Sequence, residues 1–520
     1  MDYDDKNNLL NQGEACLAQS LNLQWHAPLF EALTALQRSG PASYHVPGHK
    51  YGQSLIRLTD MNEDAIKSYR GIMAIDVTEL SITDDLHAPS GIIEEAQTLA
   101  ANAFGADKTF FLVGGSTSGN LAMILAVCRP LDLIIVQRNA HKSVLNALKL
   151  AGARAVFMMP QRDLESNLSL LPTLGQVESA LLNYPEAKAV FLTNPSYYGL
   201  SLDLAPYADL IHKHGKLLLV DEAHGAHYGL HPQFPRSAMQ AGADAVVQST
   251  HKTLPALTMG AMLHVQGERI DRNAIAESLR MVQSSSPSYP IMASLDITRA
   301  MLQIYGSDLF REGLDAAADF RKWVSHQTAR YALAADPLKE NGAVPIQVDP
   351  LRVVIREASG RLSGFELQQH LEKYGIYAEM ADLHFAVLLF GLAASVSDVE
   401  KLQEALTAIA NEADKEGLVP KEMVNLSIDK SQGLSEPIEF TRTGAKHASF
   451  GAEIIALADS EGRFAAEAVI PYPPGIPILY EGERISAETI HAIQQLAEHG
   501  ARCQGATDPT MRTITVLRTG

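Results

Sequence analysis

Short apolar runs recur between about residues 105 and 265, and each has the length of a buried β-strand. Amphipathic stretches of helical length separate them, at residues 142–150, 174–183 and 205–214. This alternation predicts an α/β fold, with a mostly parallel sheet covered by helices on both faces. The runs are FFLV from residue 110, LIIVQ from 133, AVFMM from 155, AVFLT from 189, KLLLVDE from 216 and AVVQST from 245.

The hydrophobic pattern changes on both sides of this region. A polar leader is followed by a predicted helix near residues 28–36, and we interpret the two as an N-terminal arm. After residue 290, a long helical stretch, two strand-like runs and a further helix indicate a smaller α+β domain. The predicted domains are the arm at 1–44, a large α/β domain with the candidate ligand site at 45–290, a small α+β domain at 291–415 and a C-terminal domain at 416–520.

The composition is typical of a globular protein with more than one core. The chain has 520 residues, of which 46% are hydrophobic and 20% charged. A formal net charge of -18 opposes binding to nucleic acid and to anionic membrane surfaces. The same charge would attract a cationic small molecule, although acidic enzymes are also common for reasons of solubility alone.

The cysteines and the N-terminus indicate a cytoplasmic location. Cys16, Cys128 and Cys503 are far apart and form no C-x-x-C pair, so we expect neither a disulfide framework nor a metal site. The first ten residues are acidic and polar, unlike a signal peptide. No run approaches the roughly 18 apolar residues of a membrane span, so we expect a soluble protein.

Polar motifs follow directly after four of the apolar runs. They are GGSTSGN from residue 114, TNPSYYG from 193, DEAHGAH from 221 and STHKT from 249. In an open α/β sheet, ligands bind in the crevice outside the carboxyl ends of the strands. We therefore expect these motifs to meet at one site.

Lys252 in the STHKT motif is the candidate nucleophile. A lysine that forms a Schiff base needs a lowered pKa, and partial burial beside a second potential cation, His251, would provide it. Ser249 and His251 also have the groups to hold a phosphate. Because most lysines are solvated surface charges, this interpretation depends on the neighbouring motifs.

Asp221 is the first polar residue after the strongly apolar run LLLV. A carboxylate at such a strand end can keep a pyridine nitrogen protonated, and the cationic ring then withdraws electrons from the substrate. The alternative is an aspartate that only caps a helix. His224, three residues later, could orient this carboxylate or reach the substrate.

The Gly/Ser-rich segment and His141 provide the remaining contacts. Backbone N–H groups at a helix start, with the hydroxyls of Ser116, Thr117 and Ser118, form a phosphate cradle, although most Gly/Ser clusters are ordinary turns. His141 could stack on a ring, although a lone histidine is more often structural. Together the GGSTSGN segment, His141, Asp221 and Lys252 offer partners for the phosphate, ring face, ring nitrogen and aldehyde of pyridoxal 5'-phosphate (PLP).

Longer motifs support this interpretation by their order and spacing. They are HVPGHK from residue 45, DVTELSITDDLHAPSGIIEEA from 76, GGSTSGN, RNAHKS from 138, DEAHGAH, STHKT, SSSPSYPIMASLD from 284 and PYPPGIP from 471. Over most of residues 25–490 the chain resembles the ornithine/lysine/arginine decarboxylases of fold type I. The resemblance implies an α/β fold of the aspartate aminotransferase type, with smaller α+β domains following the large domain. It also implies PLP-dependent decarboxylation of a basic amino acid, in polyamine metabolism.

The resemblance also assigns roles to single residues. It makes Lys252 the Schiff-base lysine, Asp221 the partner of the pyridine nitrogen and His141 the stacking ring. Lys252 or His251 would return a proton to the substrate Cα after carbon dioxide has left. The phosphate ligands would be Ser116, Thr117, Ser249 and His251.

Substrate contacts and assembly are also predicted. Glu79, Asp84 and Asp85 form an acidic cluster, and we expect at least one of them to contact the cationic substrate, although loop charges of this kind can simply be solvated. In such families the site is completed across a dimer interface, and residues 284–288 resemble the part given to the neighbouring subunit. We therefore expect at least a homodimer. About 44 residues precede HVPGHK, which indicates the shorter branch without an N-terminal response-regulator-like wing domain.

Three other functions match parts of the sequence. An aminotransferase of the same fold needs an arginine for the substrate α-carboxylate, and Arg352 is a candidate, although a surface role is the more ordinary expectation for it. DEAH also occurs in nucleic-acid helicases, but these need a G-x-x-x-x-G-K-[ST] loop that the chain lacks. A catalytically silent relative would lack a key residue, and none is missing.

Overall fold

The computed structural model describes residues 25–57, 62–161, 168–327, 329–334, 340–341, 344–417, 419–420, 433–440, 451–471, 475–498 and 501–518. The predicted polar leader and Cys16 lie outside these ranges, and Cys128 and Cys503 form no disulfide. Within the ranges, no helix combines the length and apolar content needed to cross a membrane. The described side chains also contain no group of three or more His, Cys, Asp or Glu able to hold a metal ion.

Regular elements follow the hydrophobic pattern closely. The strands are β1 Lys108–Leu112, β2 Leu133–Gln137, β3 Arg154–Met158, β4 Ala189–Thr193, β5 Leu200–Leu202, β6 Leu217–Asp221, β7 Ala245–Gln248, β8 Ala261–Val265, β9 Tyr331–Leu333, β10 Glu340–Asn341, β11 Val344–Val348, β12 Arg352–Glu357, β13 Met380–Ala381, β14 Ala386–Leu389, β15 Ile438–Glu439, β16 Ala452–Ala456, β17 Ile470–Pro471, β18 Cys503–Gln504 and β19 Thr513–Leu517. The α-helices are α1 Pro28–Arg38, α2 Gln53–Ile56, α3 Glu63–Ala74, α4 Ile92–Phe104, α5 Gly115–Val127, α6 Lys142–Ala151, α7 Leu174–Asn183, α8 Ala205–Lys213, α9 Thr250–Thr253, α10 Arg272–Val282, α11 Tyr289–Tyr305, α12 Arg311–His326, α13 Gly364–Lys373, α14 Val396–Lys415 and α15 Ala487–Glu498.

The central sheet has eight strands in the order β1-β8-β7-β6-β4-β2-β3-β15. Strands β3, β2, β4, β6 and β7 are mutually parallel, whereas β8 is antiparallel to both of its neighbours, β7 and β1. The six predicted strands therefore all run in one direction and end at the same edge of the sheet. Nearly all of their residues are buried, because helices cover both faces. The predicted α/β architecture is confirmed.

The hydrophobic pattern does not predict β8 and β15. β8 carries His264 within the run AMLHV, and a histidine in the middle of an apolar run weakens the strand signal. In the structure His264 is fully buried, with Nδ1 2.8 Å from Thr109 Oγ1 and Nε2 3.2 Å from Gln248 Oε1. β15 has only two residues and pairs antiparallel with β3.

The helices that cover the sheet begin where the sequence predicts. A capping box of Thr173 and Gln176 starts α7, and His141 is the N-cap residue of α6. Helix α5 opens on the GGSTSGN segment and lies close against the sheet at Gly119. A Cβ atom on Gly119 would lie 2.4 Å from a Val247 methyl group, so only glycine allows this close approach. The approach brings the N-terminus of α5 to the carboxyl edge of the sheet.

Two smaller units follow the large sheet. An antiparallel sheet in the order β13-β14-β12-β9 packs against α13 and α12, which confirms the predicted α+β pattern after residue 290. Strand β11 pairs with β5, and the two belong with β10 to a separate three-stranded sheet. Farther along the chain, the pairs β16-β19 and β17-β18 accompany α15. The domain boundaries remain predictions.

Candidate active site

The predicted site residues gather at the carboxyl edge of the sheet. Asp221 is the last residue of β6, Ser249 follows β7, and His141 lies in the loop between β2 and α6. The ionisable groups influence one another, which shows that they share one site. Burial lowers the pKa of His224 well below its ordinary value, and the nearby Lys252 contributes to the shift, as do Arg352, His141 and His251.

Lys252 is partly buried in the short helix α9, and its Nζ lies 2.9 Å from His224 Nε2. Burial lowers the pKa of Lys252, and the charge of Arg352 lowers it further, whereas Asp221 and Glu379 act in the opposite direction. Nζ also lies 6.0 Å from the centre of the Tyr197 ring, and the same ring packs on His224. An amine in these surroundings is readier to lose its proton than a surface lysine.

Arg352 fixes the proton positions around Lys252. Its Nη2 donates to His224 Nδ1 at 3.0 Å, and because arginine has no acceptor, Nδ1 must accept. A neutral His224 then carries its proton on Nε2, directed at Lys252 Nζ, and Lys252 can accept it when its amine is unprotonated. Arg352 is 1% exposed, so the expectation of a surface role for this arginine is wrong.

Asp221 and His141 belong to one buried hydrogen-bond network. Asn120 Nδ2 donates to Asp221 Oδ2 at 2.8 Å and to Ser143 Oγ at 2.9 Å. Ser143 Oγ in turn lies 2.8 Å from His141 Nδ1, and Asp221 Oδ1 accepts from Ala223 N at 3.0 Å. Asp221 is 3% exposed, as expected for a carboxylate aimed at a ring nitrogen. Asn120 stands in the GGSTSGN motif and Ser143 in RNAHKS, yet neither was predicted as a site residue.

His141 is suited to stacking rather than to proton transfer. Burial lowers its pKa to about 4, and the charge of Lys252 acts in the same direction, although Asp221 opposes it. The imidazole is therefore neutral near neutral pH. A neutral flat ring at the strand edge fits the predicted role as an aromatic plate.

The phosphate cradle has the predicted parts, with one difference. Ser116 and Thr117 lie in the first turn of α5 with their side chains at least partly exposed, where helix N–H groups favour an anion. Ser118 is buried and its Oγ donates to the Gly115 carbonyl at 2.8 Å, so this hydroxyl is already used within the turn. Ser249 is fully buried, and its Oγ has no hydrogen-bond partner among the described residues.

An unpartnered buried hydroxyl such as that of Ser249 calls for a ligand, because buried polar groups are almost always hydrogen-bonded. His251 stands beside it, with Nδ1 2.9 Å from the Gly260 carbonyl, which leaves Nε2 as its other polar atom. Burial lowers the pKa of His251. The residues present therefore fit PLP.

Asp84, one of the three acids predicted near residue 80, has hydrogen-bond partners within the fold. Asp84 accepts hydrogen bonds from the backbone of Ser90, Gly91 and Ile93 at the start of α4, at 2.8 to 3.0 Å for the shortest of each. Although burial would raise its pKa, these bonds hold the Asp84 pKa below the ordinary value. Both of its oxygens have a structural role, which explains Asp84 without a substrate.

The other two carboxylates of the cluster differ from Asp84. Asp85 Oδ1 accepts from His87 N at 2.8 Å, whereas Glu79 Oε1 is buried without a hydrogen-bond partner among the described residues. The acid that faces Lys252 from the smaller sheet is Glu379, an exposed residue just before β13. No sequence motif predicted Glu379 as a site residue, because only the folding of the chain brings it near Lys252.

Comparisons with known proteins agree with this geometry. The family model described as Orn/Lys/Arg decarboxylase, major domain, matches residues 27–398, and the model of the C-terminal domain of that family matches residues 436–505. The chain belongs to the Orn/Lys/Arg decarboxylase family. The resemblance seen in the sequence motifs is thereby confirmed.

Relatives in this decarboxylase family cover nearly the whole chain. The uncharacterized protein YaaO of Bacillus subtilis (strain 168) is 41% identical over 486 residues, 92% of this chain and 96% of the relative. An arginine decarboxylase of the same organism is 34% identical over 499 residues, 95% of this chain and 98% of the relative. At family level the chain is therefore grouped with amino-acid decarboxylases.

Solved structures of decarboxylases share the fold. A lysine decarboxylase of Francisella novicida superimposes with a TM-score of 0.79 at 20% sequence identity, covering 95% of this chain and 82% of that structure. A serine palmitoyltransferase of Sphingomonas wittichii reaches a TM-score of 0.50 at 17% identity, covering 69% and 83%. The predicted fold of PLP-dependent transferases is confirmed.

Proposed function

We propose that this chain decarboxylates arginine, lysine or ornithine to the corresponding amine and carbon dioxide, with PLP bound at Lys252, in polyamine metabolism. The observation that carries the proposal is the hydrogen-bonded set of Lys252, His224 and Arg352 at the same sheet edge as the buried Asp221. It combines an amine of lowered pKa with a buried carboxylate suited to a pyridinium. Family membership supports decarboxylation as the reaction.

Each side chain has a role in holding the cofactor. Ser249, His251 and the first turn of α5 would hold the phosphate, His141 would stack on the ring and Asp221 would keep a proton on the ring nitrogen. When bound, PLP supplies an electron sink for the electrons left by the departing carboxylate. The Asn120 amide donates to Asp221 and to Ser143, and Ser143 in turn contacts His141. One amide therefore orients both the partner of the ring nitrogen and the stacking ring.

A proton must return to the substrate Cα after carbon dioxide has left, and two residues can deliver it. Lys252 has a lowered pKa, so its Nζ can take up the proton and release it to the substrate. His251 uses Nδ1 at the Gly260 carbonyl, so only its Nε2 can carry a proton toward the substrate. We propose Lys252 as the first candidate, because it takes part in the covalent step.

A cationic substrate side chain needs a carboxylate at the mouth of the site. Glu379 provides one, because its charge raises the pKa of both Lys252 and His251. Glu79 and Asp85 remain candidates from the neighbouring loop. The relative named arginine decarboxylase makes arginine the first substrate to test.

Replacing Glu379 with Gln should raise the KM for arginine about tenfold, because one charge pair with the substrate is lost. Glu372→Gln, at an exposed glutamate of α13, is the matched control. Equal KM values in the two variants would remove Glu379 from the substrate site. Glu79→Gln and Asp85→Asn, compared on arginine, lysine and ornithine, test the remaining acids.

We propose at least a homodimer with active sites at its interface. Helix α3 has no buried residue, although it carries Tyr69 and Ile72, which are 57% and 44% exposed. Ser284, Ser285 and Ser286 are also exposed, as a segment given to a partner subunit would be. Light scattering should give the mass of a dimer or a larger assembly, and a monomer at working concentration would oppose the proposal.

Product analysis tests the reaction itself. The purified protein with PLP should release carbon dioxide and one amine in equal amounts, without any added keto acid. Lys252→Ala should abolish both turnover and the absorbance of the lysine-bound cofactor. A requirement for a keto acid would indicate an aminotransferase, and cofactor binding without turnover on any basic amino acid would indicate a catalytically silent relative.

A further inference from the structure

A segment of the C-terminal domain, residues 475–483, packs against the loop that carries His141. We call it the brace segment. The Arg138 side chain extends from this loop, residues 138–141, into the brace segment. Arg138 donates to two of its backbone carbonyls at 2.9 and 2.8 Å and pairs with the Glu483 carboxylate at 2.8 Å. Because the guanidinium is almost fully buried, these bonds compete little with water.

Tyr480 of the brace segment also contacts Arg138. Its hydroxyl donates to the backbone carbonyl of Arg138, and its ring centre lies 3.6 Å from the Arg138 guanidinium carbon. The ring also stacks on Phe157 of β3 at 4.8 Å, and Tyr480 is 1% exposed. Both the backbone and the side chain of Arg138 are thus held by the brace segment.

The residue that follows His141 is held as well. Lys142 N donates to the Gly475 carbonyl at 3.1 Å, and this N–H belongs to the first turn of α6, where no intrahelical acceptor exists. Two turns later, Lys149 Nζ pairs with Glu481 at 2.5 Å. The brace segment therefore bonds to the loop before His141 and to the helix after it.

We propose that the brace segment sets the position of the His141 ring, so that the C-terminal domain contributes to the reaction through three positioning residues, Arg138, Tyr480 and Glu483. The inference rests on the proposed stacking of His141 on PLP. A stacked ring has to lie in the correct plane, and a misplacement of about 1 Å at an active site can cost about a hundredfold in rate. None of the three residues needs to touch the substrate.

Glu483→Gln is the first test, with Glu453→Gln as its matched control. Both replace a carboxylate of the C-terminal domain that pairs with an arginine, but Glu453 pairs with Arg463 of the same domain. We expect Glu483→Gln to lower kcat about tenfold and to weaken the visible circular dichroism of bound PLP. The control should leave both unchanged.

Tyr480→Phe tests the same contact with less risk to folding. It removes only the hydroxyl that bonds the Arg138 carbonyl and keeps the ring on Phe157. We expect a change of the same direction in kcat and in circular dichroism, while the KM for arginine stays within about twofold, since substrate contacts are intact. Equal behaviour of Tyr480→Phe, Glu483→Gln and the control would overturn the proposal.

A double-mutant cycle with His141→Ala distinguishes positioning from general stability. If Glu483 acts through His141, Glu483→Gln should have no further effect on kcat or circular dichroism once His141 is replaced. An undiminished effect in that background would also overturn the proposal. Failure of the unaltered protein to bind PLP would instead contradict the proposed function, so the two ideas fail in different ways.

Discussion

Arg352 places a permanent positive charge two hydrogen bonds away from the amine of Lys252. It donates to His224, and His224 donates to Lys252, so the charge acts through the orientation of one imidazole as well as through space. Arg352 Nη1 also donates to the Tyr197 carbonyl at 2.7 Å, which fixes the guanidinium at the junction between β12 and the large sheet. An arginine of the predicted smaller domain therefore lowers the pKa of the reactive amine.

Replacing Arg352 with Met should make attachment of PLP to the protein require a higher pH. The arginine charge lowers the pKa of Lys252, so its removal raises that pKa and leaves less free amine at a given pH. The rate at which PLP attaches to apoprotein, measured by absorbance, should fall on the acid limb of its pH profile. In Arg352→Met this acid limb should move to higher pH.

Arg352→Lys keeps the charge but replaces the planar donor, so its acid limb should lie closer to that of the unaltered protein. Arg272→Met, at an arginine on the surface of the large domain, controls for loss of a cation. An acid limb that does not move in Arg352→Met would show that the arginine does not tune Lys252.

Among the elements, α5 depends on a single glycine for its place on the sheet. Gly119→Ala should destabilise the protein by about 1–3 kcal/mol, because the new methyl group overlaps Val247 and Leu112. The urea midpoint of unfolding measures the change. PLP affinity should fall as well, since α5 would move away from the strand edge.

Gly71→Ala is the opposite case. Gly71 lies in α3 with no atom within 4 Å of an added Cβ, so alanine should stabilise that helix by about 0.5–1 kcal/mol. A gain of stability in both variants would show that helix propensity, rather than close packing, governs Gly119.

Strand β8 has a pH-dependent contribution to stability through His264. Burial lowers the His264 pKa to about 3 from its ordinary 6.5, so the folded protein leaves this histidine neutral while the unfolded chain binds a proton below pH 6.5. Stability is therefore lost as the pH falls from 6.5 toward 3. His264→Gln should reduce the loss of unfolding free energy between pH 7 and pH 5 by about 2 kcal/mol.

Urea titrations at both pH values would measure that difference. His326→Gln, at an exposed histidine, shows what the loss of a histidine does away from the core. An acid sensitivity of His264→Gln equal to that of the unaltered protein would contradict the assignment.

At the scale of the whole molecule, the sequence predicts the elements of the large sheet better than the contacts between distant parts of the chain. All six apolar runs form parallel-running strands, and the three tested helices end within one residue of the prediction. Lys252, Asp221 and His141 were predicted because each follows a buried strand, and strand ends meet at one edge.

Asn120, which was not predicted, and Arg352, for which a surface role was expected, both act through long-range contacts. Asn120 meets Asp221 across 101 positions of the chain, and Arg352 meets His224 across 128. Hydrophobic periodicity contains no information on such pairs. Asp84 shows a related limit, because a cluster of acids in sequence does not reveal that one of them accepts hydrogen bonds from the start of a helix.

The antiparallel strand β15 also has a consequence for handling the protein. Residues 433–440 lie along β3, and Ser435 and Phe440 donate to the carbonyls of Phe157 and Ala153 at 2.9 Å each. An uncovered edge strand is a template for pairing with another chain, so this short ribbon shields the sheet from intermolecular β-pairing. A chain cut before residue 433 would leave this edge of β3 open to pairing with other chains, whereas a cut after residue 440 would keep it covered.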